Sequence, residues 1–312
     1  MKTRAFLWAL CSGLILSASV AQDNATTVPE SITVQYKFRP DQQEKYQVAV
    51  EMNGNLPLPG AVGAAGVLKL TLGVSMKMTK VEEGRSTVQT ALEAFNAEFN
   101  GSPFPVGLEM AKSVIPDSTA TVTIRGKLSG LQGNGGLMGS PLPGFDPRNL
   151  ATLFFPLELP EIPLTKGASW QFTRAFGEGE NALRVPITAR FEGYEEVDGV
   201  KLLKITHSFS MPIEQYQDAF YQPVRDKAQA THVTRGEMKG NGVVYLHPED
   251  GIVQKMTLSA SLNQTREPIK KDGSEVKEFE REATQLSLTL NASRQSTASA
   301  NNESKPTQTS SN

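Results

Sequence analysis

The chain has 312 residues, 38% hydrophobic and 21% charged. That balance is too polar for a bundle of membrane-spanning helices, and the length suits one large β domain or two ordinary ones. Lys plus Arg number 31 against 33 Asp plus Glu, which excludes the concentrated basic surface a nucleic-acid binder needs.

Residues 1–21 read as a secretory signal peptide. Lys2 and Arg4 supply the positive region, Ala5 to Leu16 the apolar run, and Ser19-Val20-Ala21 a small-x-small cleavage site. Their removal would take the net charge from −2 to −4 and leave no transmembrane segment. The single cysteine, Cys11, lies in this run, so the exported part would have no disulfide, no Cys-ligated metal and no thiol nucleophile. The expected location is periplasmic or extracellular, in a bacterial envelope.

Residues 30–130 form a first set of β hairpins. Ile32, Val34, Tyr36 and Phe38 alternate with polar residues, and Tyr46, Val48, Val50 and Met52 answer them after a turn at Arg39-Pro40-Asp41. The Gly- and Pro-rich stretch Asn53 to Gly66 reads as a loop. Leu68, Leu70, Leu72, Val74, Met76 and Met78 share one strand face, and Thr87 to Phe95 runs back after the acidic turn at Glu82-Glu83. Residues 131–166 form a Gly/Pro-rich connector that packs back through Leu153, Phe154, Phe155 and Leu157. A short helix is expected from Asp146 as N-cap to Phe154.

Residues 167–290 form a second set. Val185, Ile187, Ala189 and Phe191 alternate, turn at Tyr194 to Gly199, and return to Phe209. Ile213, Tyr216 and Phe220 recur at three and four after Pro212, so a helix is expected over 212–229. Val243 to Leu246, the turn His247-Pro248-Glu249-Asp250-Gly251, and the return strand Met256, Leu258, Ala260, Leu262 make the clearest hairpin. Leu286, Leu288 and Leu290 close the set. Residues 291–312 are Ser, Thr, Asn and Gln with nothing to bury, and read as a disordered tail.

No constellation of catalytic residues is legible. His207 sits at inward parity in a strand, His232 precedes a strand and His247 opens a turn; none shares a metal-ligand spacing. No G-x-S-x-G elbow occurs. Ser274-Glu275-Val276-Lys277 matches S-x-x-K by letters but lies in a charged loop, where the lysine would stay solvated. The glycines of Gly133 to Gly139 lack the strand–helix context of a dinucleotide loop. No enzyme activity, cofactor or metal is expected.

An early V-x-Y-x-F strand (Val34, Tyr36, Phe38) is thus paired with a later Gly240-x-Gly242-x-x-Tyr245 … Asp250-Gly251 hairpin, and Gly167-x-x-Trp170 opens the second set. This resembles uncharacterised bacterial envelope families built from two β repeats. More distantly it is similar to periplasmic lipoprotein carriers of the LolA and LprG type. That resemblance implies a curved antiparallel sheet half-wrapping a helix over an apolar cavity.

The expected fold is therefore mainly β, with curved antiparallel sheets in two tandem repeats, as two sheets or one large split sheet. The expected function is a non-catalytic envelope protein that binds a lipid or other hydrophobic molecule. The face concerned comprises Leu70, Leu72, Val74, Met76, Met256 and Leu258, with Tyr216 and Phe220 from the helix. The alternatives are a structural module that docks an envelope protein partner and, third, a hydrolase without a recognisable motif.

Overall fold

The computed structural model describes residues 31–58, 61–131, 144–176, 183–219, 224, 226–271 and 273–295. Residues 1–30, Phe220 and the chain after Gln295 lie outside them.

Period-two alternation of Leu, Val and Met with Thr, Ser, Lys and Asn makes these segments strands. Among the described residues there are twelve: β1 (Gln43–Leu58), β2 (Ala61–Glu82), β3 (Arg85–Phe99), β4 (Ser102–Pro103), β5 (Ser118–Thr123) and β6 (Leu128–Ser129), then β7 (Ser169–Phe176), β8 (Leu183–Val197), β9 (Val200–Gln217), β10 (His232–Leu246), β11 (Val253–Pro268) and β12 (Glu282–Arg294). All belong to one antiparallel sheet, nearly closed into a barrel. Its order is β6-β5-β3-β2-β1-β12-β11-β10-β9-β8-β7, with β4 paired to β3. Each half of the chain is thus a meander, and the two join where β1 pairs β12, with Val50 opposite Leu290. Of the two architectures left open by the sequence, the single sheet is the one formed.

Four segments differ from their sequence-based expectation. Pro212 to Gln217 is not helical: it completes β9, with Met211 opposite Met238 and Ile213 opposite Gly236 of β10. Pairing along a neighbouring strand outweighs three apolar residues at helical spacing. The only helical turn described near there is a 3-10 turn at Lys227–Gln229. Asn53 to Gly66 is not an open loop, because β1 and β2 continue through it to Leu58 and Ala61. Pro57 is tolerated there since β12 leaves the other edge of β1 after Gly54. Asn291 to Arg294 belongs to β12, where Ala292 is buried between Val48 and Met256. Finally, residues 32–38 alternate in burial as expected but form no ladder, only a bridge from Ile32 to Leu164.

The connector is an interior segment. Phe145, Leu150, Leu153, Phe154, Phe155, Leu157 and Leu159 are all buried. The Phe154 ring meets Tyr46 edge-on at 4.8 Å, and Phe155 meets Tyr36 at 5.1 Å. Its helix, α2, spans only Ala151–Phe154, because Asp146 instead caps a tight turn, accepting from the Arg148 backbone N–H and the Asn149 amide. The second helix, α1 (Leu108–Val114), follows β4. The connector also spans the seam between β6 and β7. The Leu159 N–H donates to the Arg125 carbonyl at 2.7 Å, and Trp170 Nε1 of β7 donates to the Glu158 carbonyl at 2.7 Å. Barrel closure at this seam uses side chains and one irregular segment where a ladder would otherwise run.

Candidate ligand-binding face

The candidate site is the inner wall of the barrel. Register sets its composition: Leu72, Val48, Ala292, Met256, Val244, Ile205 and Phe191 stand in one cross-strand row from β2 to β8. The adjacent row is Leu70, Val50, Leu290, Leu258, Gly242, His207, Ala189 and Trp170. Six of the eight residues assigned to the face from sequence therefore converge there. Leu70, Leu72, Val74, Met76, Met256 and Leu258 are all buried. Tyr216 does not join them. With β9 a strand, it takes the opposite parity to Ile213; its hydroxyl donates to Glu214 and the Lys227 ammonium lies 4.5 Å from its ring.

The outer face has the opposite character. Ser287, Ser261, Lys239 and Ser210 make one row, and Thr289, Ser259, Asn241 and Ser208 the next. A membrane-spanning barrel carries its apolar band outside and its polar residues within. Here the polarity is reversed: the apolar side chains face inward and the polar ones outward. No described helix is long and apolar enough to cross a membrane.

Much of the inner volume is occupied by the chain itself. Between Tyr36, Tyr46, Met76, Met78, Phe154 and Phe155 only about 10 Å³ remains, room for a single water at most. A larger groove of about 640 Å³ lies on the outer face, between the β8–β9 turn at Val197 to Val200 and the strand residues Gln47, Ala49, Lys255 and Asn291.

Two glycines in the motif Gly240-x-Gly242 have a packing cause. A Cβ on Gly240 would fall 2.4 Å from the Phe209 ring, and one on Gly242 would fall 2.5 Å from the His207 ring. Each ring of β9 lies across the bare backbone of β10, so both positions require the absence of a side chain.

His207 is 4% exposed, and neither ring nitrogen has a hydrogen-bond partner. Burial, helped by the Arg174 charge, lowers its pKa to about 4. No acid or hydroxyl lies within hydrogen-bond reach, so it lacks the geometry of a general base in a triad. Arg174 is 1% exposed on β7; it donates through Nη2 to the Phe155 carbonyl at 2.9 Å and through Nη1 to that of Gly126 at 3.4 Å. Nothing in the sequence singled out this arginine, because strand parity places many charged residues and only the fold decides which face inward.

The other candidates are ordinary. Glu82 bonds Lys80 and Arg85, and Glu195 bonds Lys204 and Tyr245; these partners hold both carboxyls below the usual range. Lys277 of the S-x-x-K match is exposed. His232 Nδ1 pairs with the Thr231 hydroxyl. Among the described residues no group of three acids, histidines or cysteines could hold a metal ion.

No family model matches the chain, and no curated protein does. Among solved structures it is similar to a structure of lipid–protein interactions in lipovitellin, at 10% identity and a TM-score of 0.40. That match covers 83% of this chain and 25% of the other, so the present chain spans a quarter of the lipovitellin chain. It is also similar to two mutant forms of the Rh. blastica porin, at 7% and 8% identity and TM-scores of 0.20 and 0.21, covering 81% of this chain and 99% of each porin. Likeness at this level carries no functional weight.

Proposed function

We propose that this is an exported, non-catalytic envelope protein that binds a lipid or other hydrophobic molecule against the inner wall of its barrel. The observation that carries the reading is the continuous apolar face from β2 to β8, backed by a polar outer face. Leu and Met dominate it, and such side chains adapt to irregular apolar ligands. The interior segment 144–164 covers part of that wall, so cargo of lipid size would take the segment's place. Such cargo must recover what the segment gives up, the burial of Phe145, Leu150, Leu153, Phe154, Phe155, Leu157 and Leu159, at about 1.5–3 kcal/mol for each side chain. Export is supported by the charged, apolar and small-x-small order of residues 1–21.

Organic extraction and native mass spectrometry of the purified chain test the reading. Co-purified apolar molecules, or uptake from added lipid vesicles, are the expected result. A chain that is consistently empty and takes up nothing would end it.

A docking module is the second reading. Exposed Phe279 at 81%, Ile162 at 71% and Met110 at 61% favour it. Changing these three to Ser should then abolish capture of an envelope partner without lowering thermal stability.

A further inference from the structure

The outer face carries two concavities that follow one another along β12. Ser287 and Thr289 border the first, of about 440 Å³, with Ser259 and Ser261 of β11 and Asn241 of β10. Asn291 and Ser293 border the second, the groove of about 640 Å³, with Gln47 of β1 and Gln254 of β11. Outward positions recur at every second residue of a strand, so from Ser287 to Ser293 the two make a trough about 20 Å long at the usual strand rise. Its floor is neutral and polar. Ser287 donates to the Asn53 carbonyl at 3.3 Å. The side chains of Gln47, Ser259, Thr289, Asn291 and Ser293 meet no hydrogen-bond partner among the described residues. The lip is apolar: the β8–β9 turn brings Val197, Val200 and Leu202 to the edge of the groove. Val200 is 43% exposed, and Leu202 is buried yet stands apart from the barrel core.

We propose that this trough binds a neutral, linear glycan. Other ligand classes fit it less well. A peptide strand adds to a sheet through free backbone groups at an edge, whereas β12 is paired on both sides, with β1 and with β11. A polyanion needs clustered free cations. Here Glu237 takes Lys239 at 2.7 Å and Glu44 takes Arg294 at 2.6 Å, while Lys255 shares the groove with Asp198. A hydrocarbon chain would find only a narrow apolar lip above a polar floor. Sugar hydroxyls both donate and accept, and so do the amides and hydroxyls of that floor. The C–H face of a pyranose ring has Val197 and Val200 to pack against. The length of the trough takes several rings laid end to end, each making a few weak contacts. This site lies across the sheet from the apolar wall, so it is independent of what fills the barrel.

The test titrates the full chain by calorimetry with cellohexaose, chitohexaose and maltohexaose. At least one should bind saturably, and the one that binds most tightly identifies the sugar and its linkage. The double variant Gln47→Ala, Asn291→Ala should weaken that binding at least about tenfold, the scale of two neutral hydrogen bonds. Thr119→Ala, at an exposed position of β5, should leave it unchanged. Lys255→Ala and raised salt should also leave the affinity within about twofold, because no charge is engaged. Gln47 and Asn291 are exposed, so the double variant should melt with the parent; should it not fold, Val200→Glu at the exposed lip replaces it, with the same loss expected. Binding of none of the three sugars, or binding that survives the trough variant, overturns the proposal. Binding that collapses in Lys255→Ala or in high salt overturns it as well, and assigns the groove to an anion.

Discussion

Substituting His207 by Leu should flatten the acid end of the stability profile. The imidazole is buried, unpartnered and packed over Gly242, so the folded chain strongly prefers it neutral, with a pKa near about 4 against an ordinary 6.5. Because the folded value is the lower one, the unfolded chain binds more protons between these limits, and stability falls as pH drops through that window. Above pH 6.5 both states hold a neutral ring and the residue adds no pH dependence. Linkage gives a loss of about 2 kcal/mol by pH 5 and about 3 kcal/mol by pH 4. Leu has similar bulk and no ionisable group, so the variant should lose this part of the slope. It should also match or slightly exceed the parent at pH 7.5, since two unsatisfied buried nitrogens are removed. Urea unfolding of both chains from pH 4 to 7.5, followed by fluorescence, measures the difference directly. Parallel profiles would refute the reasoning, and would mean that the ring finds water or a partner in the folded state.

Two further outcomes follow from packing. Phe154→Ala should cost about 3–5 kcal/mol, the range for a buried Phe, because its ring is buried against Tyr46; urea unfolding showing less than about 1 kcal/mol would make the segment a loose lid. Gly240→Ala places a methyl 2.4 Å from the Phe209 ring and should cost about 1–3 kcal/mol by overpacking. Adding Phe209→Leu should return part of that loss, and thermal melts of the two single variants and the double would expose a missing coupling.

What could be read without coordinates was whatever rests on local alternation. Leu68 to Met78, Met256 to Leu262 and Leu286 to Leu290 each show which side is buried, because a strand's side chains alternate whatever its neighbours are. The apolar wall was therefore legible residue by residue, apart from its His207–Gly242 contact and Arg174. Misreadings fell where the pattern was short or the neighbour decided. Ile213 and Tyr216 fit a helix by spacing, but the vacant edge of β10 made them strand. Pro57 looked like a loop residue until the withdrawal of β12 freed its edge.

The amino-acid order by itself determined the class: amphipathic antiparallel ribbons with hydrocarbon on one side and hydroxyls and amides on the other. Tertiary structure decided the rest. Pairing of β1 with β12 joins residues about 240 positions apart, and no local signal encodes a contact at that separation. The same closure buried Arg174 and turned a proline-rich connector into the filling of the barrel. Both depend on which surfaces face each other once the sheet has curled.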